Sequence, residues 1–271
     1  MSTPGAAAWI DGQPASDALA FDRALHYGDG LFETLAVRAG RPRFLALHAA
    51  RLAQGCVRLG IACDAAAALR DASAGLEGEG TLKVILTRGD AVARGYGVSG
   101  TERPRVLRFW YPGAGASPAA KFDAVALGQR WGENPALAGL KHLNRLEQVL
   151  SRRELASTGA DEGIVSSSTG DVVSGTMCNV FLELEDGWLT PRVDRCGIAG
   201  VLRAVVLREA ARLGLRIAEA RVPDTRLGEV RAAFFTNARL GVQPATRLDG
   251  RPLRQSEAVT SLARRIESLD A

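Results

Sequence analysis

Residues 139–155 read GLKHLNRLEQVLSRREL, and the lysine near the start of that run is the first residue whose setting suggests chemistry. Leu143, Leu146 and Leu150 recur at the spacing of a helix face packed on a core, which predicts a helix with Lys141 at or just before its first turn. The positive end of a helix dipole disfavours an ammonium. A lysine so placed is pushed toward the neutral amine, the form that attacks as a nucleophile or makes a Schiff base. The plain alternative is a solvated lysine on an ordinary helix.

Three further stretches could each hold an anion. In Cys196–Arg203 (CGIAGVLR) a glycine-flanked turn runs straight into a predicted helix, so backbone N–H groups and the dipole can meet a phosphate. In Phe235–Arg239 (FTNAR) small hydrogen-bonding side chains follow an apolar strand, a usual place for ligand contacts. Arg51, in HAARL, offers a guanidinium fork on a helix. Arg88 and the run Arg94–Gly97 (RGYG) form a basic loop that could receive a carboxylated substrate. The GDG at 28–30 lacks the third glycine of a dinucleotide fingerprint and reads as a tight turn entering a strand.

These residues must be positioned by a chain of 271 residues, 46% hydrophobic and 24% charged, enough for one large core or two modest ones. No run of about 18 apolar residues occurs, and the start MSTPGAAAWIDGQ lacks the basic and apolar regions of a signal peptide, so a cytoplasmic protein without a membrane span is expected. The four cysteines show no CxxC spacing and there are only three histidines, so no metal cluster is expected. The net charge of +4 comes from 34 basic residues dispersed among 30 acidic ones, without a basic stripe interleaved with aromatics. That balance fits a small anionic substrate better than nucleic acid.

Predicted strands are 6–10, 31–39, 81–87, 105–111, 122–129, 162–166, 178–184, 188–190 and 232–236, and predicted helices are 45–59, 200–213 and the one from Lys141. The stretch YPGAGASPAA (111–120) reads as a linker. An α+β or α/β fold of two domains follows, 1–112 and 119–271 joined by 113–118, with a ligand cleft between them and the second domain carrying Lys141.

Seven segments, YGDGLFETLAV (27–37), HAARL (48–52), LKVILTRGDAVARGYG (82–97), GLKHLNRLEQVL (139–150), GTMCNVF (175–181), CGIAGVLR (196–203) and FFTNARLGVQPA (235–245), together resemble the class IV, branched-chain-aminotransferase-like family of pyridoxal-phosphate enzymes. Within it, RGYG and the KHLNRLEQ form of the lysine segment look most like the aminodeoxychorismate lyases. The resemblance implies that Lys141 holds pyridoxal 5'-phosphate in Schiff-base linkage and acts as the catalytic base. It implies that Arg51, the turn Ile198, Ala199, Gly200 and Val201, and the pair Thr236 and Asn237 bind the phosphate, so that the three anion sites become one. Arg94 and Arg145 are the candidates for the substrate carboxylates, Arg145 because it lies four residues past Lys141 on the same predicted helix face. The implied activity is conversion of 4-amino-4-deoxychorismate to 4-aminobenzoate and pyruvate, by a homodimer. A D-amino-acid or branched-chain aminotransferase and a catalytically silent binding homologue are the alternatives. One position departs from the family: Ser174 stands where the resemblance places the glutamate that pairs with the pyridine nitrogen, and a serine shares a hydrogen bond without supplying a charge.

Overall fold

The computed structural model describes residues 9–10, 13–14, 19–91, 95–113 and 119–269. They form two compact units, one of residues up to 113 together with Lys141–Asn144, the other of the remaining residues. Arg94, most of the expected linker and residues 6–8 of the first expected strand lie outside the described residues. Among those described, no helix is long and apolar enough to cross a membrane.

The first unit contains β1 (Trp9–Ile10), β2 (Gln13–Pro14), α1 (Arg23–Tyr27), β3 (Gly30–Arg38), β4 (Arg41–Pro42), α2 (Leu45–Leu59), α3 (Ala65–Ser73), β5 (Gly80–Thr87) and β6 (Arg105–Pro112). β3 to β6 make an antiparallel sheet in the order β4-β3-β5-β6. Its alternation puts Leu31, Leu35 and Val37 of β3 and Leu82, Val84 and Leu86 of β5 on one face, where they pack with Leu52 and Cys56 of α2 and Leu69 of α3. The expected strands at 31–39, 81–87 and 105–111 and the helix at 45–59 are found, within one residue at each end. α1 ends on Gly28, whose left-handed φ of 65° suits a residue without a Cβ, so GDG is a turn into β3.

β4 covers only the Val37–Arg38 end of the outer edge of β3. The other end is covered by the lysine segment. Phe32 N–H donates to the Lys141 carbonyl (2.9 Å), Leu143 N–H donates to the Gly30 carbonyl (3.1 Å), and His142 forms a bridge with Leu31. This pairing places Lys141–Asn144 in the first unit, whereas the sequence reading assigned the lysine to the 119–271 domain.

The second unit contains β7 (Asp123–Trp131), α4 (Leu146–Ala156), β8 (Glu162–Ser167), β9 (Val172–Gly175), β10 (Asn179–Leu184), β11 (Gly187–Pro191), α5 (Val201–Arg212), β12 (Ile217–Ala220), a 3-10 turn (Asp224–Glu229), β13 (Ala232–Asn237), β14 (Gly241–Pro244), β15 (Arg247–Leu248), β16 (Arg251–Pro252) and α6 (Glu257–Glu267). Two mixed sheets, β16-β15-β7-β8-β9 and β12-β11-β10-β13-β14, share a core of Ile164, Val172, Val180, Leu182 and Phe235. The other face of the second sheet carries Asn179 and Phe181 of β10 opposite Thr236 and Phe234 of β13, and α5 packs against β13. The Phe181 and Phe234 rings stack at 4.5 Å.

The helix expected from Lys141 starts five residues later, at Leu146, with Arg145 at its cap. Leu143 lies outside it, Leu146 and Val149 are exposed, and Leu150 is at the margin of exposure. The leucine period misled because the inner face of α4 is largely polar. Ser151 and Leu155 are its buried residues. Glu147 accepts the Gly132 N–H (2.7 Å), and Glu154 accepts those of Gly128 (2.7 Å) and Gln129 (2.9 Å). Backbone hydrogen bonds to carboxylates do there what a leucine stripe was expected to do.

Phe234 is fully buried, stacked on Phe181 and edged by Trp188. Phe234→Ala is therefore expected to destabilise the protein by about 3–5 kcal/mol. A urea titration followed by circular dichroism checks this; a midpoint within error of the parent would contradict the packing.

Candidate functional site

The chemistry-bearing residues of the first unit gather around β3. Lys141 lies four residues before the cap of α4, outside the turn in which a helix dipole acts, so the dipole expected to favour its neutral amine does not reach it. Its Nζ stands 4.3 Å from the centroid of the Phe32 ring, and the Lys83 Nζ stands 5.5 Å from that centroid. Both contacts are of the cation–π kind.

Glu33, next to Phe32, points to the opposite face of β3, between Leu31 and Leu35, and is 1% exposed. Two residues one turn apart on α2 meet it. Arg51 donates from Nε to one carboxylate oxygen (2.8 Å) and from a terminal nitrogen to the other, while His48 Nδ1 lies 2.6 Å from that second oxygen. Burial pushes the Glu33 carboxyl up, but the Arg51 guanidinium and the His48 and Arg51 hydrogen bonds outweigh it and hold the group at about 2. Burial also pushes His48 down, against the pull of Glu33, so it is neutral at neutral pH. With ionised Glu33 as acceptor, the ring proton belongs on Nδ1. Arg51, expected as a phosphate ligand, is thus also an ion-pair partner in this structure.

In the second unit a cradle forms where β10 and β13 meet the start of α5. Asn179 donates from Nδ2 to the Ile198 carbonyl (2.9 Å), and its Oδ1 crowds Gly200, where a Cβ would lie 2.1 Å away. Gly200 is the cap of α5, without a side-chain hydrogen bond and with no acid in the first turn. The first N–H groups of a helix have no intrahelical acceptor, and the first turn of α5 has no acidic residue to compete for them. Directly opposite Asn179, on the same sheet face, Thr236 is fully buried and its Oγ1 has no hydrogen-bond partner among the described residues. An orphaned hydroxyl at that depth costs free energy unless something is bound to it.

Several residues expected in the phosphate cup also have partners within the protein. Ala199 donates its N–H to the Gly139 carbonyl (3.0 Å) and Ile198 gives its carbonyl to Asn179, so these two build the turn. Asn237 is likewise engaged: its Oδ1 accepts the N–H groups of Arg239 (3.0 Å) and Leu240 (2.7 Å), shaping the turn into β14. Gly200 and Val201 open α5, and the Thr236 hydroxyl has no partner among the described residues.

Ser174 is buried in β9, opposite Val165, and its hydroxyl donates to the Gly175 carbonyl (2.7 Å). A carboxylate not anticipated from the sequence lies near it. Glu162, 2% exposed, accepts the N–H groups of Gly163 (2.9 Å) and Thr176 (3.0 Å) and the Thr176 hydroxyl. Burial and the neighbouring Glu162 raise the Cys178 thiol well above its usual range, which keeps it inert. Arg145 does not share a helix face with Lys141. It caps α4, reaches the Leu140 carbonyl with Nη2 (3.3 Å), and is pushed down to about 10 by burial, which Glu147 partly offsets.

A family model described as amino-transferase class IV matches residues 30–248. An aminodeoxychorismate lyase of Vibrio harveyi is 29% identical over 96% of this chain and 97% of its own. The crystal structure of 4-amino-4-deoxychorismate lyase from Pseudomonas aeruginosa is 39% identical, with a TM-score of 0.84 over 97% of this chain and 99% of that one. A hypothetical aminotransferase from Mycobacterium tuberculosis, solved in a pyridoxal-phosphate-bound form, shares the fold at 21% identity and a TM-score of 0.74 over 96% of this chain and 94% of its own.

The Glu33 carboxyl has an ordinary value of 4.5 and a folded value of about 2. Its contribution is therefore complete above its unfolded pKa and disappears as pH falls through the folded one, a loss of about 3 kcal/mol between roughly pH 5 and pH 2. Glu33→Gln is expected to be less stable at neutral pH and to lack that part of the acid limb. Unfolding free energies measured across the range check it; parallel acid limbs would refute the ion pair.

Proposed function

We propose that this chain, which belongs to the amino-transferase class IV family, is a pyridoxal-phosphate-dependent lyase that converts 4-amino-4-deoxychorismate to 4-aminobenzoate and pyruvate. The Pseudomonas aeruginosa lyase supports the activity, being similar over almost the whole of both chains. The single structural observation that carries the cofactor reading is the buried, unpartnered Thr236 hydroxyl beside an acid-free helix start. A phosphate satisfies both.

In this reading Thr236, the first N–H groups of α5 and Arg51 take the phosphate-binding roles that the family resemblance implies, and Lys141 takes the role of the residue that anchors the aldehyde carbon. When bound, the cofactor supplies an electron-withdrawing ring in conjugation with the substrate amine. Lys141 does the proton work. Its free amine takes the proton from C4 of the substrate, the C3–O bond to the enolpyruvyl group breaks, and the proton is returned to the methylene carbon of the departing enol to give pyruvate. Ser174, whose hydroxyl proton is given to Gly175, has a lone pair and no charge to offer the pyridine nitrogen. An elimination that ends in an aromatic ring has its own driving force and depends less on a cationic ring than transamination does.

A homodimer fits the exterior of α4, where Leu146, Val149 and Leu150 form an apolar face at i, i+3 and i+4. A reducing cytoplasm suits the four thiols, each raised by burial.

The purified protein is expected to be yellow and, with 4-amino-4-deoxychorismate, to release fluorescent 4-aminobenzoate and pyruvate in equal amounts. Lys141→Ala should abolish both turnover and the long-wavelength absorbance. A yellow protein that instead transfers the amino group of D- or branched-chain amino acids would be an aminotransferase, and a colourless one that takes up no cofactor a silent homologue. Sedimentation checks the assembly: Leu146→Glu should halve the mass of the parent, and a monomeric parent would rule the dimer out.

A further inference from the structure

The first unit spends an unusual amount of polar chemistry on one arginine. Arg51 belongs to a helix whose neighbours are Leu52 and Cys56, and an unrestrained arginine has about 2 kcal/mol of rotamer entropy to lose whenever it is fixed on a ligand. Glu33 removes most of that freedom beforehand. Its two oxygens take Nε and one terminal nitrogen, which is a side-on pairing along one edge of the planar guanidinium. Planarity then directs the N–H groups of the other edge away from the carboxylate.

The carboxylate is itself fixed. His48 Nδ1, at 2.6 Å, blocks rotation of the oxygen that meets the terminal nitrogen, and backbone pairing of β3 with β5 sets the height of Glu33 on the sheet opposite Val84. His48 is 1% exposed, neutral at neutral pH by burial, and its Nε2 has no hydrogen-bond partner among the described residues. A core that needed only packing at this position would be cheaper with an apolar residue, because buried ion pairs stabilise less than well-packed hydrophobic replacements.

We propose that Glu33, braced by His48, is a positioning residue that orients Arg51 toward the phosphate of the cofactor. This rests on the reading above in which Arg51 holds that phosphate. Glu33 touches neither substrate nor cofactor; it acts through the guanidinium.

The test is cofactor binding to the apoprotein, followed by tryptophan fluorescence, with pyridoxal 5'-phosphate and with pyridoxal, which has no phosphate. Arg51→Ala should weaken pyridoxal 5'-phosphate by roughly 10- to 100-fold, the equivalent of a charge-assisted hydrogen bond, and leave pyridoxal unchanged. Glu33→Gln should weaken the phosphate form by about tenfold with the same selectivity, and add nothing in the Arg51→Ala background. His48→Leu should act in the same direction and His48→Asn, which keeps a donor near the Nδ1 position, should restore affinity; this pair carries the test if Glu33→Gln does not fold. Equal losses for both ligands, a Glu33→Gln effect that persists without Arg51, or unchanged or tighter binding would overturn the positioning role alone. Arg51→Ala with unchanged affinity would remove Arg51 from the phosphate site and the proposal with it. A parent protein that binds neither ligand would overturn the cofactor reading on which both stand.

Discussion

A carboxylate set between Leu31 and Leu35 on the core face of a strand is tolerable only if its charge is matched and its lone pairs are filled. Glu33 meets that condition by drawing on two positions of α2, and in doing so it fixes the rotation of that helix about its axis as well as its distance from the sheet. Hydrophobic contact alone leaves a helix free to roll by a fraction of a turn over a leucine surface. Three directed bonds to one carboxylate do not. The orientation of the first unit's charged groups follows from this arrangement.

The second unit solves a different problem, which is how to leave polar groups unpaired without losing the fold. Asn179 is central to it. Its amide braces the turn that leads into α5, and the missing side chain of Gly200 gives it room, so the N–H groups at the head of the helix are held in place by atoms that do not compete for them. The Thr236 hydroxyl stands opposite on the paired strand. The cost of these unsatisfied groups is borne by the stacked Phe181 and Phe234 rings and by the apolar core on the other sheet face.

Much of this was legible in the sequence. The strands of the first unit and α2 follow from periodicity, because each has one face against a single core. The turn into α5 follows from its glycines and the helical stretch after it. Short elements such as α1, β4 and β14–β16 carry too few residues for a period to show, and α3 and α6 went unassigned. The lysine segment was misjudged for a specific reason: its leucines sit at helical spacing, yet Leu143 serves the edge of a strand and Leu146 faces outward. Glu33 could have been found. In LFETLAV the alternation that buries Leu31, Leu35 and Val37 also buries residue 33, so a glutamate there demands a cationic partner, and His48 and Arg51 lie one helical turn apart on the nearest helix. Glu162 has no such signal, since its partners are the backbone N–H groups of Gly163 and Thr176 and the Thr176 hydroxyl.

The lysine segment covers the part of the β3 edge that β4 leaves bare. Open sheet edges invite the strands of other molecules, and proteins usually guard them with charge, with bulges or with a covering loop. Here the guard is the stretch that carries Lys141. Any excursion of Lys141–Leu143 away from β3 would uncover the N–H of Phe32 and the carbonyl of Gly30 within an apolar strand. Solubility and the placement of Lys141 are therefore tied to the same few hydrogen bonds, which limits how mobile this segment can become without exposing the protein to self-association.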